Sequence, residues 1–400
     1  MHPKLLFKIF FHVLILISLT IYSLEFNSTK FFWNVPSEKC LENNIHIPLK
    51  KFGIISNDNQ AFNGNRIVLI YEINVGLYPY LKKTNGSIES INGGIPQRTN
   101  ITAHLEKLRN NIDRLIPNTK FDGPAIIDVE EWRPTYDSNW SSKRIYREES
   151  IKYVYERYPN ISRKDAVEIA KDEFDRAALN FLLKTLKECQ ILRPLAIWGF
   201  YGMPICDENG LTRNSTFCYP KHDNRLISFL KYTDALYPSA YLYPGRSYAV
   251  KSMFVEDVIT ETMRLNDLIE KEGYSKKKIY VYHKFELDPY DDDVDKIEFY
   301  DPYQICVTYK QSVEYGVDGL ILWSTSKNMK QRCKSIQRYV ETELGFYVSY
   351  LGKFFDRCSE LLTSNNGKCV LRVKKKDSSK CDRYLKIENF KASCKTGFYG

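Results

Sequence analysis

Apolar runs of strand length alternate with segments of helical periodicity along most of this chain, and this alternation limits the folds open to it. Strands are expected at "RIVLIYE", "PAIIDVE", "LAIWGFYG", "ALYPSAYLYP", "KIYVYHKF" and "VDGLILWSTS". Helices are expected between them, as over residues 101–116, over residues 163–189 and in a segment that ends at Gly273, a residue typical of helix C-caps. Repeated β-α alternation over this length predicts an α/β protein with a parallel sheet.

The number of strands decides between the architectures of this class. About seven strands and no phosphate-binding glycine loop favour a closed, TIM-like (β/α) barrel over an open Rossmann sheet. We expect the barrel in residues 24–345. The next 55 residues contain four cysteines and little periodicity, which indicates a small disulfide-stapled module at residues 346–400.

The N-terminus has the layout of a secretory signal peptide over residues 1–23. Lys4 and Lys8 flank or interrupt an apolar stretch that ends before Ser23. The alternative is a retained signal anchor, but His12 and the short apolar length favour cleavage. We expect a secreted protein, with the lysosome as the alternative destination, and no membrane span once the signal is removed.

Other features agree with the secretory route. Six N-x-S/T sequons are candidate glycosylation sites: Asn27, Asn85, Asn100, Asn139, Asn160 and Asn214. Ten cysteines fit an oxidising compartment, but they are too sparse to replace a packed core.

The net charge of +9 predicts attraction to polyanions, from nucleic acid to acidic polysaccharide. A secreted protein rarely meets nucleic acid, and the chain has neither zinc-finger spacing nor an RNP-type motif. No nucleic-acid partner is therefore expected.

Three carboxylates follow one of the buried strands, in "AIIDVEEWRP". Alternate residues of a strand share a face, so Asp128 and Glu130 should point into the barrel at its carboxyl-terminal rim, with Cα atoms roughly 6–7 Å apart. Two carboxylates this close cannot both ionise cheaply, and one should keep its proton as a glycosidase acid does. Taken alone, the D-x-E motif is weak, and it favours an acidic strand end paired with Arg133 or another base over a catalytic role.

Aromatic residues at other strand ends favour the catalytic interpretation. Tyr201, Tyr241 and Trp323 each follow or end a predicted strand. Their rings can stack on pyranose faces while their polar atoms reach hydroxyls. Together with the acidic pair, they indicate a carbohydrate site.

From "FFWNVPSEKC" to "QRCKSIQRYVETELG" the chain resembles the hyaluronidase family of glycoside hydrolases. The matching pieces, in order, are "FWNVPS", "IYEINVGLYPYL", "NGGIPQ", "AHLEKL", "IIDVEEWRP", "NW", "RPLAIWGFYGMPIC", "ALYPSAYL" and "GLILWSTS". The resemblance implies a distorted barrel of about seven strands, no cofactor and no metal. It implies an endo-acting, retaining hydrolase of hyaluronan, with chondroitin as a possible second substrate, and we expect a monomer.

The resemblance also implies residue roles. Glu130 matches the general acid/base, and Asp128 matches the residue that orients the substrate's N-acetyl group, which is the implied nucleophile. Tyr201, Tyr241 and Trp323 match positions that hold the sugar in the cleaving subsite. Two departures are notable. Glu131 replaces a small residue and should point away from the barrel interior. A family tyrosine on the strand near residue 285 corresponds to Phe285.

The resemblance implies disulfides Cys40–Cys333 and Cys206–Cys218. Cys189 and Cys306 have no family partner, so both are expected to be buried free thiols. The tail resembles an EGF-like module that has lost one bridge, which leaves Cys358–Cys369. Either Cys381 then pairs with Cys394, or the chain is a fragment that lacks the partner of Cys394.

Three alternatives stay open at this point. The first is a chondroitin or chitin-like substrate, although the chitinase signature D-x-x-D-x-D-x-E is present only in its final D-x-E. The second is a catalytically silent polysaccharide-binding protein, which retention of Glu130 disfavours. The third is an adhesion module centred on the tail, which is too short for a main function.

Overall fold

Eight parallel strands form the barrel wall in the computed structural model, which describes residues 27–84, 86–208, 210, 216–372, 381 and 385–394. The strands are β1 (Lys30–Asn34), β2 (Ile54–Ser56), β3 (Val68–Tyr71), β4 (Tyr80–Thr84), β5 (Ser87–Ile91), β6 (Pro124–Asp128), β7 (Ile197–Phe200), β8 (Ala235–Leu236), β9 (Lys278–His283), β10 (Gly319–Trp323), β11 (Gly367–Leu371) and β12 (Phe390–Cys394). The pairs β4–β5 and β11–β12 are antiparallel additions to the barrel.

Helices follow most of the barrel strands, as the alternation predicts. They span Glu38–Leu41, Ile101–Leu115, Arg144–Arg157, Arg163–Leu192, Pro220–Leu230, Tyr248–Lys271, Pro302–Ile305, Gln311–Glu314, Met329–Tyr339 and Gly345–Thr363. One-turn π segments, Cys306–Lys310 and Val340–Leu344, join the last four into two longer helices. Gly273 follows the helix Tyr248–Lys271 with φ +86°, as expected of a C-terminal glycine.

The wall consists of two parallel sheets, with orders β2-β1-β10-β9-β8 and β3-β6-β7. A single bridge between Tyr201 and Tyr237 joins the sheets on one side. The expected seven or so strands are thus found, with β8 reduced to two residues.

On the other side, asparagine side chains take the place of strand pairing between β2 and β3. The amide of Asn57 donates to the carbonyl of Ile67 at 3.0 Å and accepts from the amide groups of Arg66 and Ile67. The amide of Asn63 exchanges two hydrogen bonds with the backbone of Leu69 in the same way. These bonds satisfy the open edge of β3, because an unpaired buried backbone group is costly.

Alternate residues of the barrel strands point to opposite faces of the wall, so the barrel has an inner core and an outer core. Ile126 of β6 packs inside the barrel with Tyr237 and Tyr282, whereas Ala125 and Ile127 pack outwards against the helices. The predicted orientation of "AIIDVE" is therefore confirmed up to the end of β6.

In the structure a helix runs across the predicted domain boundary at residue 345. The helix continues from Gly345 to Thr363, and its buried face, with Val348, Leu351 and Phe355, belongs to the same core as β1 and β10. A Cβ atom on Gly345 would lie 2.4 Å from the ring of Phe52. This helix is therefore part of the barrel layer, and the β11–β12 pair alone resembles an appendage.

Four disulfides connect the described residues: Cys40–Cys333, Cys206–Cys218, Cys306–Cys381 and Cys358–Cys369. Three of them are the bridges that the resemblance implied. The expected free thiol at Cys306 is wrong, as is a Cys381–Cys394 bridge, because Cys306 on a barrel helix pairs with Cys381 of the tail. Cys189 is a buried free thiol, and Cys394 is also unbridged.

The predicted signal peptide and the sequons at Asn85 and Asn214 lie outside the described residues. Asn27, Asn100 and Asn160 are exposed, as a glycan requires. Within the described ranges, no helix combines the length and apolarity needed to cross a bilayer.

Candidate active site

A cleft of about 970 Å³ opens at the carboxyl-terminal ends of the barrel strands. Five of the sequence-predicted site residues line it: Asp128, Glu130, Tyr201, Tyr241 and Trp323. The parallel strands bring these residues together, since all their carboxyl ends meet at one rim.

Asp128 lies at the base of the cleft and is only 4% exposed. Its Oδ1 atom is buried and has no hydrogen-bond partner. Burial, and next the charge of Glu130, raise the pKa of Asp128 well above its usual range. A buried carboxyl oxygen without a partner in a cleft wall is suited to accept a hydrogen bond from a ligand.

Glu130 reaches solvent through the cleft, but protein surrounds it on the other sides. This partial burial raises the pKa of Glu130, the cation of Lys143 opposes the shift, and the charges of Glu72 and Glu131 add to it. The two carboxyls therefore retain a proton at a pH where isolated carboxylates have lost theirs.

Glu131 does not line the cleft, as predicted. Its carboxylate accepts a hydrogen bond from the hydroxyl of Tyr146 at 3.4 Å, on the outer side of β6. Its influence on Glu130 is therefore electrostatic and works through the pKa.

Lys143 is a site residue that the sequence did not reveal. Its ammonium donates to the main-chain carbonyl of Glu130, and at 3.1 Å to that of Glu131. It comes from the short turn Ser141–Lys143, which carries no motif of its own. Only the fold places this cation behind the carboxylate pair.

The loop after β6 is held by Asn139, one of the glycosylation candidates. The Asn139 side chain is fully buried, donates to the carbonyls of Arg133 and Thr135, and accepts from the amide of Arg133. The Arg133 guanidinium lies 4.4 Å from the ring centre of Trp140. A glycan on Asn139 is incompatible with this packing.

The three predicted aromatic residues form a connected wall. The rings of Tyr241 and Trp323 are stacked at 5.7 Å, and those of Tyr201 and Tyr241 are 6.3 Å apart. The hydroxyl of Tyr201 donates to Ser239 at 3.0 Å. The indole N–H of Trp323 donates to the hydroxyl of Tyr71 at 3.2 Å, so Tyr71 belongs to the wall. Tyr71 lies near the end of the predicted strand "RIVLIYE", so the sequence pattern that identified Tyr201, an aromatic residue at a strand end, applied to Tyr71 as well.

Phe285 is not a site residue. Its ring is fully buried in the outer core and stacks on Trp33 at 5.0 Å. Alternation along β9 places Tyr282 inside the barrel and Lys284 next to it on the same face, and Lys284 lines the cleft.

The charge of the cleft differs from that of the whole chain. Among the described residues, five acidic ones line it: Glu38, Asp128, Glu130, Glu208 and Asp288. Within the same ranges the basic lining residues are Lys39 and Lys284. The described lining is therefore more acidic than basic, and it offers an anionic ligand the cations of Lys39 and Lys284.

Comparisons with known proteins agree with this geometry. Residues 23–397 match the model of a family described as hyaluronidase. Chondroitin hydrolase of Caenorhabditis elegans is 32% identical over 94% of this chain and 80% of its own length. Human hyaluronidase PH-20 is 29% identical over 91% of this chain and 71% of its own.

Among solved structures, bee venom hyaluronidase in complex with a hyaluronic acid tetramer is similar with a TM-score of 0.74 and 28% identity. The match covers 81% of this chain and 99% of that one. The TIM-like barrel expected from the sequence is thereby confirmed. The EGF-like character of the tail stays a prediction.

Proposed function

Because the chain belongs to the hyaluronidase family of glycoside hydrolases, we propose that it cleaves hyaluronan at the β-1,4 bond between N-acetylglucosamine and glucuronate. The reaction is endo-acting and retains the anomeric configuration. The observation that carries the proposal is the pair of carboxyl groups at the end of β6. Asp128 is buried and has an oxygen without a hydrogen-bond partner, and Glu130 beside it is exposed to solvent in the cleft.

In the first step, the acetamido oxygen of the substrate attacks the anomeric carbon and the glycosidic bond breaks. Glu130 donates its proton to the departing oxygen. Asp128 accepts a hydrogen bond from the acetamido N–H, and its negative charge stabilises the cyclic cation that forms. In the second step, Glu130 removes a proton from a water molecule. The water oxygen attacks the anomeric carbon from the opposite face, and the bond from that carbon to the acetamido oxygen breaks.

The substrate itself sets the proton distribution. Before binding, Asp128 is the more buried of the two carboxyls and burial favours its neutral form. A hydrogen bond from the acetamido N–H favours the ionised form of Asp128. The shared proton then resides on Glu130, where the leaving group needs it.

The aromatic wall holds the sugar. Tyr241 and Trp323 present a stacked surface to a pyranose face, and Tyr201 presents a hydroxyl to the acetamido group. We also propose that the protein is secreted, which is supported by the apolar N-terminal stretch and its flanking lysines.

Chondroitin is the second candidate substrate, supported by the likeness to a chondroitin hydrolase. The test is reducing-end release from hyaluronan, unsulfated chondroitin and sulfated chondroitin across pH, with Glu130→Gln as the inactive control. Release from hyaluronan by the wild type alone supports the main proposal. Release only from chondroitin replaces the substrate, and binding without release supports the silent lectin.

A further inference from the structure

Lys284 is a buried cation in the cleft wall that the mechanism above does not use. It is 5% exposed, and its ammonium donates to the carbonyl of Leu287 at 2.6 Å. The ring centres of Tyr243 and Tyr241 lie 5.1 and 5.7 Å from its nitrogen. Within the part of the chain that the structure describes, it forms no ion pair with a carboxylate.

The acidic residues near Lys284 are engaged with other groups. Glu286 binds the Arg332 guanidinium with both oxygens, at 2.7 and 2.8 Å. Glu208 accepts from Arg246 at 3.1 Å, and Asp288 accepts from the amide of Tyr290 at 3.1 Å. Lys284 lines the cleft, one of its three donors is used by Leu287, and no carboxylate of the described residues receives the other two.

Two other buried lysines show what sets Lys284 apart. Lys310, also 5% exposed, is paired with Glu314 at 2.9 Å. Lys251, 6% exposed, has no carboxylate partner among the described residues, but it does not line the cleft as Lys284 does. Buried lysines are rare unless they are paired. Burial lowers the pKa of Lys284 to about 8, while the charges of Asp288, Glu286 and Glu208 act in the opposite direction, so the ammonium keeps its charge at neutral and acid pH.

We propose that Lys284 binds the carboxylate of the uronate that adjoins the N-acetylhexosamine held against Tyr241. This rests on the proposed function and deepens it. The ammonium lies beside Tyr241, at a separation comparable to one sugar ring, so a bound polymer that stacks on Tyr241 brings its neighbouring sugar to Lys284.

The contact makes the cleft selective for uronate polymers over neutral ones. A uronate supplies the missing counter-charge and accepts the free donors. A neutral sugar at the same place leaves a buried ammonium unpaired, and sites built for a charged partner reject an analogue that lacks it. Lys284 thus separates hyaluronan from chitin-like polymers of N-acetylglucosamine in a cleft whose described lining has more acidic than basic residues.

The test compares hyaluronan oligosaccharides with the same oligosaccharides after reduction of their carboxyl groups to alcohols. We expect wild-type kcat/KM to fall by about 10–100-fold on the reduced substrate, as for loss of a hydrogen bond between charged groups. In Lys284→Met, kcat/KM on hyaluronan should fall by a similar factor while the reduced substrate is little affected, so the preference disappears. Lys284→Arg should keep part of it.

Lys251→Met is the matched control. Lys251 is 6% exposed and lies 5.7 Å from the ring of Tyr248, but it is on an outer helix and away from the cleft. Its replacement should leave the preference unchanged.

Several outcomes overturn the proposal. One is a wild type that cleaves both substrates equally, which needs no variant to be folded. Another is a Lys284→Met variant that keeps the preference or loses both activities in parallel. Loss of the preference in Lys39→Met instead would assign the contact to Lys39. A wild type that cleaves no hyaluronan contradicts the proposed function, and that result is distinct from the others.

Discussion

The ammonium of Lys143 donates to the main-chain carbonyl of Glu130, so a cation lies directly behind the proposed acid/base. Glu72 approaches the same carboxyl from the end of β3 with the opposite charge. The two residues oppose each other in setting the pKa of Glu130, and this opposition can be measured.

The alkaline limb of the pH–activity profile should move in opposite directions in two variants. Lys143 lowers the pKa of Glu130, so Lys143→Met raises it and moves the limb to higher pH. Glu72 raises that pKa, so Glu72→Gln moves the limb to lower pH. The measurement is kcat/KM against pH. Lys152→Met, an exposed lysine on the helix Arg144–Arg157, should leave the limb in place.

Neighbouring glutamates should differ sharply in activity. Glu130→Gln removes the proton that the leaving group needs, and turnover should fall by about 10²–10⁴-fold. Glu131→Gln should keep most of its turnover, because its side chain points to Tyr146 and outside the cleft. Equal losses in both variants, measured on folded protein, would show that the assignment of faces along the chain after β6 is wrong.

Asp128→Asn should abolish turnover and raise the thermal stability of the free protein. The folded-state pKa of Asp128 is raised, so the unfolded chain releases this proton at lower pH than the folded one does. The penalty on folding begins near pH 4, the pKa of an unfolded aspartate, and grows until the folded pKa is passed.

The Asn side chain carries no such penalty. The stability gain should be on the order of 1–3 kcal/mol at neutral pH and should vanish below about pH 4. Thermal melts of both proteins over this pH range provide the check. A gain that does not depend on pH would assign the effect to packing and not to ionisation.

Two leucines of one helix test whether Gly345–Thr363 belongs to the barrel. Leu351 is fully buried, so Leu351→Ala should lower the free energy of unfolding by about 2–5 kcal/mol. Leu361 is 51% exposed, and Leu361→Ala should cost little. Urea unfolding compares them. Similar small losses in both variants would favour a domain boundary near residue 345.

Asn139 should carry no glycan in protein expressed through a secretory pathway, whereas Asn160 is open to modification. Mass mapping of the glycosidase-treated peptides distinguishes the two sites. Asn139→Gln should also destabilise the protein, because it breaks the hydrogen bonds that hold the loop after β6. A glycan found on Asn139 would mean that this loop is packed differently in the mature protein.

Much of the site was determined by the sequence, because strand parity is a local property. The period of two along "AIIDVE" was enough to direct Asp128 towards the barrel interior, and the position of Tyr201 and Trp323 at strand ends placed them at the same rim. One missed signal was also local. Val348, Leu351, Phe355 and Cys358 follow helical spacing, and this pattern continues past the expected boundary at residue 345.

Other features were decided only by the tertiary structure, because they join residues that are distant in sequence. Cys306 pairs with Cys381 across 75 residues, and spacing alone left their partners undetermined. Lys143 contacts the site through the main-chain carbonyl of Glu130, and every residue has such a carbonyl, so no sequence pattern marks this contact. The proposed role of Lys284 depends on its being buried in the cleft without a carboxylate partner among the described residues. Burial and pairing are set by residues that are distant in sequence.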